Sequence, residues 1–186
     1  MPHRHPALAK TLAAYATADT AEAAHLAAML ALLATAAAPL ARDHFVPGHF
    51  TASAFVLSPD HQQALLILHS KLHRWLQPGG HIEPDDTDLV AAARREVAEE
   101  TGLVGLQVLS PLFDVDVHAI PPSTKHPGHL HFDLRVLFVA DQLGGMAGSD
   151  AQALQWVPLD RVHTLETDAS VLRAVGKLRQ RRTAPR

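Results

Sequence analysis

The segment from Gly79 to Gly102 limits the fold of this chain more than any other. It opens with Gly79-Gly80-His81-Ile82-Glu83-Pro84 and closes with Arg95-Glu96-Val97-Ala98-Glu99-Glu100-Thr101-Gly102. The first half cannot continue a helix and lets backbone approach a ligand closely. The second half consists of helix formers and stops at a glycine suited to a C-terminal cap. At 100° per residue, Glu96, Glu99 and Glu100 fall within an arc of roughly 100°, so three carboxylates crowd one helix face beside Arg95. Like charges at that spacing repel, and a hard divalent cation such as Mg²⁺ offsets the repulsion because it takes oxygen ligands and engages phosphates. Taken alone, an acidic stripe is usually a solvated helix face; a glycine turn leading into it favours a metal–diphosphate site.

The elements around this segment alternate. Residues 49–58 and 63–70 read as two strands of a hairpin turning at Pro59-Asp60-His61-Gln62, and a helix runs from about Thr87 to Thr101. Strands over 112–120 and 129–139 flank a proline-rich loop, a short strand covers 153–159, and a closing helix runs from Asp168 to Arg181. This order predicts an α/β (α+β) class with a mixed sheet. Before it, Pro6 to Ala41 is alanine-rich and divides at Thr17–Thr20, which predicts two helices, the second N-capped by Asp19 with Glu22 three residues on. The run 23–38 is short and carries His25 and Thr35, so neither a membrane span nor a signal peptide is expected.

Composition removes other chemistries. The chain of 186 residues has no cysteine, which excludes thiol catalysis and thiolate-ligated metal and fits a reducing, cytoplasmic setting. A net charge of −3 offers no overall basic field for a nucleic-acid polymer. The fourteen histidines are the excess. On the strands 112–120 and 129–139, Asp114, Asp116 and His118 alternate with apolar residues, as do His129, His131, Asp133 and Arg135. Paired as a hairpin, they set His118 near His131 and Asp116 near Asp133, which predicts a polar sheet face lining a substrate cleft. No close histidine ligand spacing specifies a second metal site on that face. His81, inside the glycine turn, is a candidate contact for a phosphate or a base. His3, His5, His25, His61 and His163 read as ordinary surface residues.

The glycine turn and the run 91–103 together resemble the Nudix box of Mg²⁺-dependent pyrophosphohydrolases, matching at Arg95, Glu96, Glu99, Glu100, Gly102 and Leu103. One residue is inserted in the first half. Counted from Gly80 the box's first acidic position falls on Asp86; counted back from Arg95 it falls on Thr87. Asp86 or Asp85 is then the candidate for orienting Arg95, with Asp86 and Thr87 equally eligible as plain N-caps. The resemblance implies a Nudix-type α/β/α sandwich over 45–183, preceded by a helical appendage over 1–44 and followed by a basic tail end at 184–186. It implies Mg²⁺, with Mn²⁺ as a substitute, on Glu96, Glu99 and Glu100 with the carbonyl of Gly79 or Gly80. Glu99, Glu100 and Arg95 would be catalytic, and Asp150 and Glu166 are the later candidates for a base. His81, Asp116, His118, His131, Asp133 and Arg135 would meet a nucleoside diphosphate derivative or a nucleoside triphosphate. A small-molecule nucleotide or other diphosphate is the expected partner, with a homodimer compatible and no membrane. The alternatives are a catalytically silent nucleotide-sensing module, disfavoured by the intact carboxylate triad, and a prenyl diphosphate isomerase, disfavoured by the absence of cysteine.

Overall fold

The computed structural model describes residues 5–148 and 151–183. In chain order the elements are α1 (Pro6–Ala14), α2 (Thr20–Thr35), β1 (Gly48–Leu57), β2 (Gln63–His69), β3 (Trp75–Leu76), β4 (Gly79–His81), α3 (Leu89–Thr101), β5 (Leu106–Ile120), β6 (His129–Ala140), β7 (Ala151–Pro158) and α4 (Ala169–Thr183). The sheet is mixed, as expected. Its strands run β3-β2-β1-β6-β5, with β4 joined to β1 and β7 to β2. One pairing is parallel, β1 against β6, in register from Gly48 opposite Leu130 to Leu57 opposite Val139.

The expected β1–β2 hairpin forms only at its tip. The two strands pair at Leu57 and Ala64 and then part. β4 takes the next length of β1, with Thr51 opposite His81 and Ser53 opposite Gly79, while β2 turns its free edge to β7. The β5–β6 hairpin forms with Asp116 opposite Asp133 and His118 opposite His131. β5 begins at Leu106, earlier than the expected residue 112, because register shifts between Val108 and Asp114 carry the ladder past Pro111, which cannot donate to it.

Three apolar clusters hold the layers. Phe55, Leu57, Leu137, Val175 and Leu178 join α4 to one sheet face. Ala54, Val56, Ala93, Val97 and Phe138 join α3 to the other. The third cluster joins Leu12, Met29, Leu32 and Leu33 of the N-terminal helices to Phe50, Val115, Phe132 and Leu134. The helices read from sequence as an appendage therefore share a core with the sheet, and Leu12 and Met29 are fully buried in it. Asp19 caps α2 as expected, accepting from the Glu22 backbone N–H at 2.9 Å. The Glu22 side chain, however, turns inward to Tyr15, Thr17 and Lys177 of α4. No helix among the described residues is long and apolar enough to cross a membrane.

Candidate active site

α3 starts two residues later than the sequence suggests, because the carboxylate of Asp88 accepts from the Ala91 backbone N–H at 2.8 Å and caps it. It ends at Gly102, whose φ of 69° is the left-handed conformation that glycine adopts without strain. That leaves Asp86 free to face Arg95. The Arg95 guanidinium donates to Asp86 through Nε at 3.1 Å and Nη2 at 2.9 Å, and to the His81 carbonyl at 2.8 Å. It also donates to Glu96 at 2.7 Å and Glu99 at 3.3 Å. One arginine thus ties the inserted loop, strand β4 and two of the three glutamates together, and Arg95 in turn holds the Asp86 carboxyl below its usual range.

The two glycines of β4 bring the backbone against the carboxylates. The Gly79 N–H donates to Glu100 at 2.9 Å. A Cβ on Gly80 would lie 2.6 Å from a Glu96 carboxylate oxygen, so a larger residue would displace that side chain. Glu96 and Glu100 are buried, whereas the Glu99 side chain is 59% exposed. Burial pushes the Glu96 carboxyl up, and Arg95, shared with Asp86 and Glu99, brings it only part of the way back. A desolvated carboxylate with half a counter-ion, surrounded by further oxygen donors, fits a hard divalent cation by the chemistry of its donors.

β4 leads from these carboxylates into a group of histidines. The His81 ring lies 5.2 Å from His49 and 5.5 Å from His131, and His129 lies 5.1 Å from both His49 and His131, centroid to centroid. Burial lowers His81 to about 4 and His131 to about 2, and also lowers His49, so these three imidazoles are neutral at pH 7. His81, His129 and His131 border a cleft of about 1070 Å³ whose wall also holds Arg42, Phe45, Asp86 and Lys125.

The remaining expected site residues lie elsewhere. Arg135 is 1% exposed and donates to Asp133 at 2.9 Å, Asp114 at 3.2 Å and Ser170 at 2.8 Å, with Asp116 at 3.4 Å. Arg173 and Lys177 of α4 reach Asp114 at 2.8 and 3.0 Å. Asp133 also accepts from Thr51 and Ser53 of β1. Asp116, Asp133 and Arg135 are thus corrected from cleft lining to members of a buried ion-pair lattice under α4. The alternation of the strands was right, but α4 covers that face. His118 stands between the two regions, donating to Asp116 at 3.1 Å with its ring 5.6 Å from His131. Glu166 lies in an exposed turn where its carbonyl accepts from Trp75, and Asp150, His3 and the tail at 184–186 fall outside the described residues. Two histidines expected at the surface are engaged: His25 lies 3.3 Å from Asp116 and His5 borders the cleft. Sequence reasoning missed His49, the partner of His131 across the parallel ladder. Its one visible signal was its position at the head of a strand.

Comparison with known proteins places this geometry. The NUDIX domain matches residues 47–175. Among solved structures, the chain is similar to the Nudix hydrolase RenU of M. smegmatis at 21% identity, covering 74% of this chain and 88% of that one with a TM-score of 0.55. It is similar to a C. elegans Ap4A hydrolase in a binary complex at 18% identity, covering 70% and 95%, TM-score 0.53. It is also similar to the NUDIX domain of Shewanella oneidensis NrtR complexed with ADP ribose at 21% identity, covering 72% and 88%, TM-score 0.52. No curated protein matches the sequence.

Proposed function

Because the chain belongs to the NUDIX family and is a hydrolase of pyrophosphate bonds, we propose that it is an Mg²⁺-dependent enzyme, with Mn²⁺ able to substitute. Its substrate on this reading is a nucleoside diphosphate derivative or a nucleoside triphosphate, cleaved at the diphosphate linkage by water. The observation that carries this reading is the convergence of the Glu96, Glu99 and Glu100 carboxylates beside Gly79 and Gly80, with Glu96 buried and Arg95 shared among Glu96, Glu99 and Asp86. These three glutamates, with the Gly79 or Gly80 carbonyl, would hold the cation. When bound, a divalent ion neutralises diphosphate oxygens and lowers the pKa of a coordinated water.

The chain's own groups do the rest. Arg95 orients Glu96 and Glu99 and pins the His81 carbonyl, so that β4 and α3 keep one spacing. Asp86 fixes the guanidinium and stands in for the box glutamate displaced by the insertion. Arg42 and Lys125 on the cleft wall supply the positive charge a diphosphate needs, and the neutral His81 and His131 rings offer hydrogen bonds without a charge to desolvate. Two of the similar structures have nucleotide compounds in their names, Ap4A and ADP ribose, and a cleft of about 1070 Å³ has room for a ligand of that class. A chain without cysteine suits the cytoplasm, where such compounds are found.

The test is a panel of nucleoside diphosphate derivatives and nucleoside triphosphates with Mg²⁺ or Mn²⁺, reading released phosphate after phosphatase coupling. At least one compound should be hydrolysed, and Glu99→Gln should remove that activity without lowering the melting temperature. Metal-independent turnover, or a fully active Glu99→Gln enzyme, would sink the proposal.

A further inference from the structure

The histidines beside β4 form a donor set of different character from the glutamates. His49, His129 and His131 each offer one ring nitrogen, and the three nitrogens lie within 4.8 Å of one another. The backbone brings them together: His129 and His131 are alternate residues of β6 and share a sheet face, and the parallel register sets His49 of β1 directly opposite His131.

Hydrogen bonds to carbonyl groups decide which nitrogen each ring presents. The His49 Nδ1 lies 3.2 Å from the His44 carbonyl, and the His129 Nδ1 lies 2.9 Å from the Pro127 carbonyl. A carbonyl only accepts, so both Nδ1 atoms carry the proton and both Nε2 atoms present lone pairs. The His49 ring is fully buried, and its Nε2 has no hydrogen-bond partner. Leaving a buried acceptor unmet costs about 1–3 kcal/mol, and here the lone pair points at other imidazoles. Backbone carbonyls that hold Nδ1–H and aim Nε2 are the usual outer support of a metal-binding imidazole.

We propose that His49, His129 and His131 form a three-imidazole site for a borderline divalent transition cation, Zn²⁺ by preference, separate from the carboxylate site and open on its fourth side to the cleft. Imidazole favours Zn²⁺ over Mg²⁺, and three protein ligands with an open position are the pattern of a zinc site that can also take water or a ligand oxygen. Zn–N bonds of about 2.0–2.1 Å place ligand nitrogens about 3.3 Å apart, so the three nitrogens, now within 4.8 Å of one another, draw closer on binding. His81 stands beside the set, and His118, held by Asp116, stands behind His131. The site does not depend on the hydrolytic reading, since it is defined by binding alone.

Metal binding by the full chain tests it. The protein is stripped with a chelator, placed in excess Mg²⁺ to saturate the carboxylates, and titrated with Co²⁺ and then Zn²⁺. One Co²⁺ per chain should give a visible absorption band that one equivalent of Zn²⁺ removes. His49→Asn and His131→Asn should each weaken Co²⁺ binding about tenfold or more, whereas Glu99→Gln should keep the band. A band unchanged in the histidine variants, or no band in the wild type, would overturn the proposal. A second measurement needs no variant: in wild-type protein labelled with ¹⁵N-histidine, equimolar Zn²⁺ should shift the Nε2 resonances of these three residues. Unmoved resonances would overturn it equally.

Discussion

Two polar regions flank the central strands β1 and β6, one under α4 and one where β4 meets α3, and they are built on different principles. Under α4, Arg135, Arg173 and Lys177 meet Asp114, Asp116, Asp133 and Glu22, and the Arg135 guanidinium is taken up by three carboxylates and Ser170. At the β4 end, Glu96 and Glu99 share one arginine with Asp86, Glu100 accepts from the Gly79 N–H, and a fully buried imidazole nitrogen has no partner. Both regions are rich in charge and largely out of water. In the first, three basic side chains face four carboxylates; in the second, one arginine serves Asp86, Glu96 and Glu99, and the buried His49 Nε2 presents a lone pair that a ligand can satisfy. Buried polarity therefore does not by itself mark a site; carboxylates that outnumber their cations beside an exposed cleft do.

The comparison can be broken most easily at Glu96. Its carboxyl is raised by burial, so its charge at neutral pH costs the fold stability. Glu96→Gln should therefore lower turnover by about a thousandfold, the several kcal/mol that a metal site supplies. The melting temperature should stay level or rise. Arg135→Met should do the reverse, costing about 3–5 kcal/mol in urea unfolding by removing the cation that three buried carboxylates share, while the folded fraction keeps its activity. Asp86→Asn tests the link between Arg95 and the glutamates: kcat should fall about tenfold, with KM and stability little changed.

The smallest effect is a pH dependence at the far edge of the lattice. Burial pushes Glu22 up, but Lys177, Thr17 and Tyr15 outweigh it and hold its carboxyl at about 2, below an ordinary value of 4.5. A lowered carboxyl stabilises the fold fully above 4.5, and that contribution is lost as pH falls towards 2. The melting temperatures of wild type and Glu22→Gln should therefore differ most near neutrality and converge across that acid window. A constant gap would remove Glu22 from the lattice.

How legible each region was follows from how local it is. The glutamate helix could be read because its signals lie within a few turns: the carboxylate arc, Gly102, and the count that left Asp85 or Asp86 to orient Arg95. The alternation of His131, Asp133 and Arg135 was also readable, and so was their pairing with His118 and Asp116. What covers that face was not, because Arg173 and Lys177 look like ordinary surface residues of a basic helix until α4 is docked. His49 was invisible for a related reason. It reaches His131 through a parallel ladder, and no turn or spacing in the sequence announces such a pairing. The alanine-rich N-terminus was read as helical, but alanine does not show which face adheres, so the core around Leu12 and Met29 appeared only in the packing.

Direct counting of bound Mn²⁺ by electron paramagnetic resonance tests the division between the two regions most simply. Wild-type protein should bind Mn²⁺ in competition with Mg²⁺, Glu96→Gln should lose that binding, and Asp116→Asn, a change within the lattice, should retain it. Mn²⁺ held equally well by Glu96→Gln, or lost from a folded Asp116→Asn protein, would contradict the assignment of the cation to Glu96, Glu99 and Glu100.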